Sequence, residues 1–141
     1  MNMVVFHLSV GLVLYRKEGD QFYFLLLHYL GGHWDFVKGH LEGNETLEET
    51  AMRELEEETG IKHAMILPNF EERIHYTYYH QAQKQEKEVV VLIGETHEKE
   101  IVISDEHQDF VWLSYDEAMQ KLTFENARNI LKAAGQYLGI A

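Results

Sequence analysis

The run Gly39-His-Leu-Glu-Gly-Asn-Glu45-Thr-Leu-Glu-Glu-Thr-Ala-Met-Arg53-Glu54-Leu55-Glu-Glu57-Glu58-Thr-Gly60-Ile61 sets a glycine loop ahead of a segment dense in carboxylates. Thr46 with Glu49 three residues later has the form of a capping box, so a helix is expected to begin near Asn44 to Thr46. Gly60 stands where the helix would end on a left-handed residue. At about 100° per residue, Glu54, Glu57 and Glu58 share one sector, and Leu47, Ala51 and Leu55 form an apolar stripe beside it. The stripe predicts docking on a sheet, with the acid sector at the margin of the buried face.

Glutamates on a helix are ordinarily a solvated face, since glutamate is a good helix former and Arg53 with Glu57 is a common i, i+4 pair. Three like charges on one sector repel, however, and Arg53 lies about 100° from Glu54, so no basic group is expected to neutralise that sector. Magnesium or manganese, which take carboxylate, carbonyl and water oxygens, would relieve the repulsion and leave positions for phosphate.

Outward from this helix, Val4 to Tyr15 and Gln21 to Leu30 read as two strands of a hairpin around Lys17-Glu18-Gly19-Asp20. Phe24 to Leu27 is continuously apolar, which predicts a strand covered on both faces. Gly31-Gly32 breaks that strand, and Trp34 to Val37 forms a short extended piece. After the helix, Ala64 to Leu67, Phe70 to Tyr79, Glu88 to Glu95 and Phe110 to Leu113 read as strands, with His80 to Lys87 as a polar hairpin loop. Ser114 with Glu117 would cap a short helix through Lys121, and Thr123 would start a last helix carrying Ala127, Ile130, Leu131, Ala134, Tyr137 and Leu138 at helical spacing. This order predicts an α/β or α+β domain with a mixed sheet between helices.

Length and composition agree: 141 residues with one proline and no long polar tract suit a single domain spanning residues 1–141. The absence of cysteine excludes thiol catalysis, disulfides and cysteine-ligated zinc, and fits a reducing cytoplasm. No apolar run reaches the length of a membrane span, and Met1 to Leu14 lacks the basic start of a signal peptide, so no membrane partner is expected. A formal charge of -12 opposes duplex nucleic acid but admits a small anionic substrate accompanied by divalent cations.

The spacing from Gly39 through Glu45, Arg53, Glu54, Leu55, Glu57, Glu58 and Gly60 to Ile61 resembles the signature of the Nudix hydrolases at every specified position. With average residue usage such a match arises by chance less often than roughly one in a million per starting position. The resemblance implies an α/β/α sandwich and hydrolysis of a nucleoside diphosphate linked to another moiety, with Mg2+ or Mn2+ and more than one ion; a monomer is expected. It implies Glu54, Glu57, Glu58 and the Gly39 carbonyl as metal ligands, Arg53 as the residue orienting a glutamate, and Glu45 as a support for the loop or Arg53.

The flanks resemble, within that family, the asymmetrical diadenosine tetraphosphate hydrolases. His33-Trp34 with Lys38-Gly39-His40 matches their segment before the helix, although they commonly carry prolines where this chain has Phe36 and Val37. Ser104 to Gln108 with Trp112-Leu113 resembles their segment after the central strands, which implies that Glu106 approaches the metals. Glu57 and Glu106 then compete as general base. Tyr76 falls where an adenine-stacking tyrosine is expected, Lys87 where a lysine touches the phosphate chain, and Tyr137 is the candidate for the other aromatic face. Lys38, His40 and His107 are candidates for phosphate contacts; core packing or ordinary surface exposure is the plainer reading of each aromatic, lysine and histidine. A house-cleaning pyrophosphatase for modified nucleoside triphosphates, an RNA 5'-end hydrolase and a non-catalytic nucleotide-binding module are the alternatives.

Overall fold

The N-terminal hairpin forms as expected in a computed structural model that describes residues 3–141: β1 (Val5–Glu18) and β2 (Gln21–Tyr29) run antiparallel, with Glu18 opposite Gln21. Beyond the Tyr15–Phe24 pair the two strands diverge. β4 (Val37–His40) then takes the place beside β1, placing Lys38 opposite Gly11 and Gly39 opposite Val10. β3 (Trp34–Asp35) and β8 (His107–Leu113) pair with β2. On its other edge β1 runs parallel to β7 (Gln83–Glu95), which also pairs with β5 (Met65–Ile66) and β6 (Glu72–His80). The sheet is therefore mixed, with the β1–β7 pair as its parallel centre.

β2, beside that centre, is covered on both faces too, which is why Phe24 to Leu27 needs no polar alternation. Phe24 and Leu26 pack under α2 (Tyr115–Lys121) and α3 (Glu125–Leu138), alongside Val13, Val91 and Leu131. Leu25 and Leu27 lie under α1 (Leu47–Thr59), alongside Leu12, Ala51 and Leu55. The result is an α/β/α sandwich. Among the described residues, no helix is long and apolar enough to cross a membrane.

The capping boxes of Thr46 with Glu49 and of Ser114 with Glu117 close in both directions, and Gly60 ends α1 at φ 77°. Several boundaries differ from expectation, among them an earlier start of β8 at His107, and two of them bear on the reading. Thr123 does not start the last helix: Phe124 is its N-cap without a side-chain bond, and the Thr123 hydroxyl accepts the Trp34 N–H at 2.9 Å instead. Nor is His80 to Lys87 a loop, because the turn shrinks to Gln81-Ala82 and Gln83 to Lys87 continue the ladder opposite β6. Gln85 to Lys87 are paired on both edges, with β6 on one side and Val5 to His7 of β1 on the other, so backbone ladders hold these polar residues in register without apolar alternation.

Candidate active site

α1 delivers its acid sector to the end of β4, and Arg53 organises it. The guanidinium spends all five of its donors: Nε on Glu45 at 2.7 Å, Nη1 on Glu54 at 2.7 Å and Glu57 at 3.1 Å, and Nη2 on Glu45 at 3.1 Å and the His40 carbonyl at 2.8 Å. This corrects the expectation that no base serves the sector, since a long side chain crosses the 100° that separates the Cα positions. Hydrogen bonding from Arg53, aided by the Glu42 N–H and the Thr50 hydroxyl, brings the Glu45 carboxyl down to about 2.

The three glutamates of the sector sit in unlike surroundings. Glu57 is exposed and turned to Arg53. The Glu54 carboxylate lies against Gly39 so closely that a Cβ on that glycine would come within 2.0 Å of Glu54 Cδ. Glu58 is only 3% exposed. His107 Nε2 lies 3.2 Å from its Oε1, within ion-pair distance but misaligned, so both Glu58 oxygens and that ring nitrogen are buried without a hydrogen-bond partner. Burial, then the Glu54 and Glu106 carboxylates, push Glu58 well above the usual carboxylate range, and burial pulls His107 down. Glu106 itself is exposed, on the loop before β8, and close enough to contribute to that field. Among the described residues no three acidic or histidine side chains converge on one point.

The opposite side of the sheet holds a cavity of about 420 Å³ between the β strands and the start of α3. Lys38, which pairs with buried Asp35 at 3.4 Å, and Tyr76, 41% exposed, are on its walls. Lys87 is opposite Tyr76 and His7 in the ladders, and burial followed by repulsion from Lys38 lowers its ammonium pKa while Asp35 opposes the shift. His40 is exposed at the end of β4, with Nδ1 3.4 Å from the Ser9 hydroxyl.

Tyr137 is not brought to this cavity: its hydroxyl donates to the Pro68 carbonyl at 2.5 Å, and its ring meets the edge of Phe70. Phe124 lines the cavity instead. A large aromatic at a helix start, with no capping role to explain it, was the available signal. Tyr29 and Asp35 were also missed. The Tyr29 hydroxyl donates to the Phe36 carbonyl, and its ring stacks on His33 and meets His107 edge-on. Inside a strand both residues look like ordinary alternation.

Comparison with known proteins adds to this geometry. The NUDIX domain family matches residues 5–134. The asymmetrical bis(5'-nucleosyl)-tetraphosphatase of Rattus norvegicus is 35% identical over 92% of this chain and 94% of its own length. The 8-oxo-dGTP diphosphatase of Proteus vulgaris is 53% identical, over 43% of this chain and 55% of that protein. Among solved structures, a C. elegans Ap4A hydrolase in a binary complex superposes with a TM-score of 0.77 at 24% identity, covering 94% of this chain and 98% of that one. At that identity the structural likeness speaks for the fold.

Proposed function

This chain belongs to the NUDIX family, and from that premise we propose that it splits diadenosine tetraphosphate asymmetrically into ATP and AMP. It is a hydrolase of phosphoric anhydrides that cleaves pyrophosphate bonds in dinucleoside polyphosphates. The observation that carries the reading is the Glu58 carboxylate, buried without a hydrogen-bond partner, near Glu54 where it meets Gly39, on the strand that sends Lys38 into the cavity.

Members of the family generally use divalent metal ions. Two free, buried carboxylate oxygens suit a hard cation, and one or two carboxylates suffice for an ion that keeps several waters. Mg2+ or Mn2+, in more than one site, would be held by Glu54, Glu57, Glu58, Glu106 and the Gly39 carbonyl, and would supply charge neutralisation and a more acidic bound water. Arg53, itself held by Glu45, orients Glu54 and Glu57. Lys38, Lys87 and His40 bind the phosphate chain. Tyr76 and Phe124 take an adenine between them, with stacking contributing about 1 to 3 kcal/mol. Water attacks an outer phosphorus, the bond to the bridging oxygen breaks, and Glu57 or Glu106 accepts the proton. Tyr137 is left to packing against Phe70. Residues 1–141 act as one domain and as a monomer, and the cysteine-free sequence suits a reducing cytoplasm.

Product analysis by chromatography in oxygen-18 water with magnesium tests this. AMP carrying the label, with ATP unlabelled, is expected; ADP as the sole nucleotide product overturns asymmetric cleavage. A second reading, pyrophosphate release from modified nucleoside triphosphates, has the local similarity to the Proteus vulgaris diphosphatase in its favour. Faster turnover of 8-oxo-dGTP than of diadenosine tetraphosphate in the same assay would select it.

A further inference from the structure

We infer that His107 is a positioning residue for Glu58, presenting its Nε2–H to the buried carboxylate; the inference rests on the reading of Glu58 as a metal ligand. His107 is 5% exposed and cannot serve as an outward phosphate contact. Its Nδ1 lies 2.9 Å from the Ser104 hydroxyl, and the Glu106 N–H donates to that same oxygen at 3.3 Å. Ser104 keeps its hydrogen and a second lone pair, so it can meet Nδ1 as donor or acceptor; when it donates to Nδ1 the ring proton stays on Nε2, 3.2 Å from Glu58 Oε1. Once a metal ion is bound, Glu58 is ionised and only accepts, so the opposite tautomer would set the bare Nε2 lone pair against it.

The loop that carries His107 is itself fastened to α1. The Val102 N–H donates to the Thr59 carbonyl at 2.9 Å and the Ser104 N–H to the Glu58 carbonyl at 3.2 Å, satisfying orphan groups at the helix C-terminus. The Tyr29 ring, edge-on at 4.5 Å between centroids, packs against the imidazole. Helix end, loop and histidine thus form one unit that orients one carboxylate.

The test is Mn2+ binding to the full chain without substrate, followed by the paramagnetic resonance signal of the free ion, with urea midpoints as a check on folding. His107→Leu, which removes the N–H, is expected to weaken Mn2+ binding on the order of 10- to 100-fold, the usual effect of losing a partner of a metal ligand. His107→Gln, which keeps a donor, is expected to retain most of the affinity, and Ser104→Ala to weaken binding by less than His107→Leu does, through the untethered tautomer. Wild-type affinity in His107→Leu overturns the inference, as do equal losses in the Leu and Gln variants. If His107→Leu fails to fold, unchanged binding in Ser104→Ala overturns it. Wild-type Mn2+ affinity in Glu58→Gln would instead overturn the metal reading beneath it.

Discussion

Gly39 is required by space rather than by backbone angle, because Glu54 occupies the position its Cβ would take. The atom in the way is the end of a flexible side chain, so Gly39→Ala is expected to change stability by less than about 1 kcal/mol. Glu54 must move, however, and turnover is expected to fall by about 10-fold or more, the scale for a misplaced group in a site. Paired urea melts and steady-state rates check this; an active Gly39→Ala enzyme would contradict the role given to Glu54. Glu45 makes the second residue-scale prediction. Hydrogen bonding from Arg53 lowers its carboxyl from 4.5 to about 2, so folding favours the ionised form. Its stabilisation is complete above about pH 4.5 and is lost as pH falls through about 2. The gap in urea midpoint between wild type and Glu45→Gln should therefore be wide at pH 7 and narrow near pH 2. The sequence marked Gly39, Glu45 and Arg53 by spacing, but the steric and hydrogen-bonding reasons lie in contacts between β4, the loop and α1.

At the scale of elements, local signals were read where they were chemically explicit. The two capping boxes and the left-handed Gly60 are formed by neighbours within a turn, so no tertiary partner is needed to define them. The β6–β7 turn gave no such signal, since Gln81 and Ala82 take φ of 51° and 61° without the Asn-Gly pair that such a two-residue turn favours. Relieving that strain by replacing Gln81-Ala82 with Asn-Gly is expected to stabilise the chain by about 1 kcal/mol. A higher urea midpoint is the expected measurement, and a lower one would show that the turn is not of this kind. The start of α3 was misplaced for the opposite reason: the threonine that resembles its cap is occupied by Trp34, which is remote in sequence.

For the whole molecule, a charge of -12 and a buried carboxylate without a partner predict that folding and divalent ions are linked. Magnesium at 100 times its Kd would add about 2.7 kcal/mol. The melting temperature should rise accordingly in the wild type and barely move in Glu58→Gln, and chelation should abolish turnover until magnesium is restored. A rise of the same size in Glu58→Gln would place the stabilising ion elsewhere. What the sequence determined by itself was the carboxylate helix with its caps, the N-terminal hairpin, the strands covered on both faces and the layered order. These follow from spacings within a few residues and from the length of apolar runs. Only tertiary structure decided that Arg53 joins Glu45, Glu54, Glu57 and the His40 carbonyl at once, that His107 faces Glu58, and that Phe124 rather than Tyr137 lines the cavity. Those relations join residues far apart in the chain, and they depend on the parallel pairing of β1 with β7, the docking of the loop before β8 on α1, and the side-chain torsions that packing selects.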